Sequence, residues 1–193
     1  MVFRSAEPWA YDLHTGAQKQ RRNPLTGNDE PWQFARPGHH CGCPVGSVNA
    51  LFFRSYHIGY YDLVRDGGTA HFSSQRPGCW INFIPGNGLL SVPEASSGCM
   101  CPFANLSTVV FEPGGEDRTW TKFSLEGATT PIRELCLNLG GPGDRKDDQG
   151  RLWLAYPRPG GSLVLPLDIQ LAAYPGGAAF RGGIDYEIGR AHV

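Results

Sequence analysis

Six cysteines and six histidines are the side chains of this sequence best suited to chemistry, and five of the cysteines fall in two groups. Cys41-Gly42-Cys43 follows His39-His40. Cys79, Cys99 and Cys101 lie in the stretch RPGCWINFIPGNGLLSVPEASSGCMCPF, residues 76–103. Such a set could bind a metal, exchange electrons or staple loops. Four thiolates from two C-x-C pairs could hold Zn²⁺, or Cu⁺, which soft sulfur suits. Structural zinc sites more often space their cysteines two to four residues apart, which leaves room for tetrahedral wrapping. The C-x-x-C spacing of a redox motif is absent. Cys136 stands apart, alternating with Leu135, Leu137 and Leu139, and is expected to be a buried or lone thiol.

Other candidate groups are weaker. Asp144 to Gly150, DRKDDQG, clusters hard oxygen ligands, but an EF-hand loop opening at Asp144 needs Glu where Ala155 stands. A solvated turn is the expected reading. GGPG before it lacks the Lys-Ser/Thr of a phosphate loop. Asn105-Leu106-Ser107 is a glycosylation sequon by letters only. His14, His57 and His71 show no partner pattern. No G-x-S-x-G elbow occurs, and the carboxylates are scattered over turns. Trp153 and Tyr156 follow the acidic turn on an expected strand. Aromatics there usually fill a core, yet beside Asp144 and Arg145 they could stack on a sugar.

The elements that position these residues read as strands and turns. Gly 26 and Pro 16 together make about 22% of 193 residues, against a usual ~12%. Aromatics are plentiful, so short strands are expected and not a coil. Tyr11-Asp12-Leu13 leads to Gly16. Fifty residues on, Tyr61-Asp62-Leu63 leads to Gly67 and Gly68. Fifty more, Phe111-Glu112-Pro113 leads to Gly114 and Gly115. Each reads as a strand ending in an acidic turn, and this period is the signature of a β-propeller. Strands are expected over 50–54, 60–63, 89–92 and 108–111, with a turn at 56–59. Cys99 and Cys101 then fall in an enlarged hairpin loop. Beyond a boundary near Pro113, strands are expected within 120–125, 132–139, 152–156 and 163–171, the start of a β-sandwich. No long amphipathic helix is expected, so the fold class is all-β.

Net charge is -1, so neither nucleic acid nor an anionic membrane surface is an expected partner. No apolar run approaches the ~20 residues of a membrane span. Six cysteines fit an oxidising compartment, while MVFRSAEPW lacks a signal-peptide pattern, and the chain is expected to be a fragment. The tail Glu187–Val193 back-translates to GAG ATC GGA AGA GCA CAC GTC. That string resembles a sequencing-library adapter, so 187–193 is expected to be read-through.

Residues 8–112 resemble the closing part of a PQQ-like (quinoprotein-type) β-propeller of the large secreted proteins of Planctomycetes and related bacteria. The pieces that carry this are WAYDLHTG, NPLTGNDEPWQFARPGHHCGC, LFFRS with GYYDL, and RPGCWINFIPGNGLLSVPEASSGCMC. Residues 131–159 are similar to a malectin-like or galactose-binding-like module that follows the propeller in those proteins. The resemblance implies about two propeller blades over 1–113 and a partial β-sandwich over 114–186. It implies a periplasmic or extracellular location, and a non-catalytic role in protein or glycan interaction. Implied partners are other blades of a longer chain and a protein or saccharide ligand, the latter touching Asp144, Arg145, Trp153 and Tyr156. It also implies disulfides in which Cys41 or Cys43 meets Cys79 or one of Cys99 and Cys101, because these lie in adjacent blades. The enzymatic alternative is a PQQ-dependent oxidoreductase. Such enzymes hold PQQ with calcium at the propeller axis, often against adjacent bonded cysteines, and no two cysteines are adjacent here. The resemblance therefore implies the fold without the quinone.

Overall fold

The computed structural model describes residues 2–3, 9–72, 75–94, 107–114, 120–125 and 131–156. All regular structure among them is β. No helix among them is long and apolar enough to cross a membrane. Strands β1 (Val2–Phe3) and β2 (Ala10–Tyr11) pair antiparallel, as do β3 (Gln20–Arg22) and β4 (Asp29–Pro31). A meander of β5 (Val45–Gly46), β6 (Ala50–Ser55), β7 (His57–Asp62) and β8 (Thr69–Phe72) follows. Strands β9 (Ile84–Gly86), β10 (Leu89–Val92) and β11 (Val109–Phe111) make an antiparallel sheet. Strand β12 (Thr121–Lys122) joins β8 as the fifth strand of the meander. Last come β13 (Cys136–Leu139), β14 (Arg145–Lys146) and β15 (Leu152–Tyr156), with β13 parallel and β14 antiparallel to β15. Among the described residues no sheet closes on itself. Strand 163–171 of the sequence reading, Cys99, Cys101 and the tail 187–193 lie outside the described residues.

The central meander is covered on both faces. Successive side chains of a strand point to opposite sides. Leu51, Phe53 and Tyr61 therefore face one way, packed with Ala10, Trp32 and Phe34. Phe52, Ile58 and Phe72 face the other way, against Phe83, Leu90, Val92 and Phe111. The adjacent Phe52 and Phe53 thus serve two cores. Burying each such side chain fully is worth about 1.5–3 kcal/mol. A third cluster joins Leu25 to Phe123, Leu125, Leu152 and Leu154. It links the β3–β4 turn with residues on the far side of Pro113, as does β12 on the edge of β8.

Two of the three acidic turns read from the 50-residue repeat, those of Asp12 and Asp62, share one construction; among the described residues no such turn forms at Glu112. Asp12 Oδ1 accepts the amides of His14 and Thr15 at 3.0 and 2.9 Å, and Gly16 closes the turn at φ 71°. Asp62 Oδ1 accepts those of Val64 and Arg65 at 2.8 and 3.0 Å. Here the left-handed position that corresponds to Gly16 is Asp66, φ 48°, and Gly68 follows at φ 108°. Aspartate tolerates that conformation. Its carboxylate is also placed to accept from the Trp32 indole at 3.0 Å and from the Tyr61 hydroxyl. Asn23 with Gly27 builds the same turn inside the first repeat, and Asp147 with Gly150 builds a close variant.

The turn expected over 56–59 is shorter. Strand β7 already begins at His57, and Tyr56 alone stands between the paired residues Ser55 and His57. Its φ is 63°, a left-handed conformation that is strained for a bulky side chain.

Candidate functional site

One candidate region lies where the loop after β4 crosses the β6–β7 turn. Gly38 donates its amide to Ser55 Oγ at 2.9 Å, and Tyr56 donates its own to the His39 carbonyl at 2.8 Å. The crossing is so close that a Cβ on Gly38 would stand 2.6 Å from the Ser55 carbonyl. The same loop carries Cys41-Gly42-Cys43 onto the segment after β8. A Cβ on Gly42 would lie 3.0 Å from the Cys79 carbonyl oxygen and 3.1 Å from Asn82 Nδ2. The loops of Cys41, Cys43 and Cys79 therefore meet. No disulfide joins the described cysteines to one another, and Cys43 and Cys136 carry free thiols.

Two guanidinium groups, buried Arg54 and half-buried Arg36, underlie the meeting point. Arg54 donates from Nη1 to Cys79 Sγ at 3.1 Å, and Arg36 donates from Nη2 to the Arg54 carbonyl at 3.3 Å. Burial pushes Arg36 down to about 10, against the opposing pull of Cys43 and Cys41. His40 is held below the ordinary histidine range, first by burial and then by Arg36. Among the described residues, no three His, Cys, Asp or Glu converge as a metal ligand set.

Tyr56, at the edge of this region, gives a direct test of the strained turn. Tyr56→Gly is expected to raise unfolding stability by about 1 kcal/mol, because the left-handed cost of ~1–2 kcal/mol exceeds the extra freedom gained by the unfolded chain. Tyr56→Val, β-branched at the same φ, is expected to lower it by at least as much. Urea midpoints of the three proteins check both signs. A stabilising valine would show that this backbone carries no strain.

The second region is the outer face of the β13–β15–β14 sheet. Leu152 and Leu154 point inward, so Trp153 points out. Cys136 and Arg145 are its register partners on either side. The Arg145 guanidinium lies 5.9 Å from the ring centre of Trp120, which the Thr121–Asp144 bridge brings alongside. Two indoles, 38% and 36% exposed, thus flank one exposed cation. Asp147 fixes the outer indole. Its Oδ2 accepts from Trp153 Nε1 at 3.0 Å and from Arg151 Nε at 2.9 Å, and with Trp153 as the largest cause its carboxyl falls to about 2. A cleft of about 190 Å³, lined by Glu134, Cys136 and Arg151 among others, opens beside this row.

Of the four sugar-contact residues expected from sequence, Arg145 and Trp153 share this face. Tyr156 is half-buried and lies on the opposite side of its strand. Asp144 is buried, and its two oxygens accept the amides of Phe123 and Ala155. Trp120 was not among the expected residues. The sequence placed it only at the start of an expected strand, 120–125.

A third feature had no sequence signal. His57 and His71, on neighbouring strands β7 and β8, have ring centres 5.1 Å apart. Burial, with His57 and Lys122 nearby, pushes His71 down to about 3. Comparison of the chain with protein-family models, with curated proteins and with solved structures found no match.

Proposed function

We propose that this chain is a non-catalytic interaction segment of an exported bacterial envelope protein. In this reading it comprises blades of a PQQ-like β-propeller followed by a β-rich module, and its ligand is a protein or a glycan. The observation that carries the proposal is the row of Trp120, Arg145 and Trp153 on an outer sheet face. Exposed tryptophan and arginine are the side chains that dominate binding energy at interfaces, combining large rigid area with polar donors. The propeller reading is supported by the central sheet, which is covered on both faces, and by the acidic turns at a 50-residue spacing. It is supported also by the outer face of the β9–β10–β11 sheet. Ile84, Leu89 and Val110 are exposed there, an apolar surface suited to a neighbouring blade.

The test is a glycan array followed by titration calorimetry on the whole chain. A saccharide is expected to bind, and Trp120→Ala and Trp153→Ala are each expected to weaken it by at least about tenfold. A blank array would sink the glycan form of the proposal. Envelope proteins captured equally well by wild type and by both tryptophan variants would sink the interaction reading at this face.

A further inference from the structure

His57 and His71 are brought together by register. Gly59 pairs with His71 directly across β7 and β8, and His57 lies two residues before Gly59, on the same face. Gly59 has no side chain to fill the space opposite His71. A Cβ there would lie 2.5 Å from the Phe53 ring, so the position is closed to larger residues. The His71 ring therefore meets His57 on the diagonal instead of a directly opposed side chain.

The separation has a specific chemical meaning. A zinc–imidazole bond of ~2.0–2.1 Å puts the ring centre about 3.2 Å from the metal. Two imidazoles on one tetrahedral ion then have their ring centres about 5.2 Å apart. The observed distance is 5.1 Å, with ring planes inclined by 44°. A second, independent feature points the same way. His71 Nε2 is buried and has no hydrogen-bond partner among the described residues. Buried polar atoms are nearly always satisfied, and an orphan nitrogen lone pair or N–H requires an explanation.

We propose that His57 and His71 form a two-imidazole site for a divalent transition metal, with water completing its coordination. No third His, Cys, Asp or Glu among the described residues joins them. The site is therefore open and exchangeable, unlike the closed four-ligand sites that hold structural zinc. Imidazole donors suit Cu²⁺, Ni²⁺ and Zn²⁺, and the general order of affinity places Cu²⁺ ahead of Zn²⁺. Lys122 lies close enough to act on His71 through its charge. A nearby ammonium opposes a dication, so the same geometry sets a ceiling on affinity that removal of the lysine should lift.

The experiment titrates Co²⁺ into the whole chain, held reduced, and reads its visible spectrum. One equivalent is expected to bind with nitrogen–oxygen ligand-field bands. His57→Gln and His71→Phe are each expected to weaken binding by at least about tenfold, in line with what disturbing a metal's ligand environment costs. His14→Gln should leave it unchanged, and Lys122→Ala should tighten it severalfold. Should His71→Phe fail to fold, His57→Gln decides, read by whether Zn²⁺ still raises the melting temperature. Wild-type binding retained in His57→Gln would overturn the site. So would an intense sulfur-to-cobalt band as the only signal, which assigns the metal to cysteine. Absence of any wild-type binding would overturn it equally.

Discussion

Asp144→Ala is expected to lower the unfolding free energy by about 3–5 kcal/mol. Asp144 Oδ2 accepts the Phe123 amide at 2.7 Å, and Oδ1 accepts the Ala155 amide at 3.0 Å. Its main chain exchanges both hydrogen bonds with Thr121, at 2.7 and 2.9 Å. The Thr121 hydroxyl then reaches Gly67 O at 2.6 Å. One buried side chain thus ties the residue after β12 to the end of β15, and Thr121 carries the connection on to the loop leading into β8. Truncation would leave two buried amides without acceptors, each costing about 1–3 kcal/mol, and both bonds go to an acid group, which strengthens them. Asp144→Asn keeps one acceptor oxygen and is expected to lose about half as much. Urea unfolding followed by tryptophan fluorescence measures both. A loss under about 1 kcal/mol for the alanine variant would show that the carboxylate is not what holds these strands.

The same contacts show which features the sequence made legible. The acidic turns were readable because Asp12 and Asp62 act on amides two and three residues away. Such local chemistry leaves a mark in residue order. The strands β6, β10 and β15 were readable because apolar runs bounded by turn residues are equally local. Asp66 carried no such mark, since the turn was read only from Asp62 and the glycines at 67 and 68. The contacts that suit aspartate there come from Trp32, far back in the chain. The turn at Tyr56 was read too long because its tightness depends on the His39 carbonyl, supplied by a crossing loop.

The candidate sites were legible only in part, for one physical reason. Arg145 and Trp153 are eight residues apart and share a hairpin, so their proximity could be guessed. Trp120 reaches them through a bridge 23 residues long in sequence, between Thr121 and Asp144. His57 and His71 meet only because β7 and β8 pair with Gly59 opposite His71. A slip of one residue would turn one ring to the other face. Register is a property of two strands and their turn together, and no single stretch of letters carries it.

Arg21→Ala is the second change expected to cost about 3–5 kcal/mol, for a different reason. Arg21 is buried on β3 and divides its donors among three places. Nε reaches Glu30 Oε1 at 2.9 Å, Nη1 the Gln33 carbonyl at 3.0 Å, and Nη2 the Ser124 carbonyl at 2.9 Å. Its guanidinium also lies over the Phe123 ring, 4.3 Å from the centre. Removing it leaves the partly buried Glu30 carboxylate with Asn23 but without its cation, and two carbonyls without their donors, which is the main cost of breaking a buried pair. Arg21→Lys is expected to recover less than half, since one ammonium cannot reach three acceptors in a fixed fork. The double variant Arg21→Met with Glu30→Gln should cost less than the sum of its singles, because neither charge is left alone. A thermodynamic cycle from four urea curves measures that coupling. Additive losses would mean that Arg21 stabilises through its two carbonyl bonds and its packing on Phe123, without help from Glu30. A positive coupling would mean that the ion pair itself clamps the first hairpin to residues 123–125, next to the strand that carries Trp120 to Arg145.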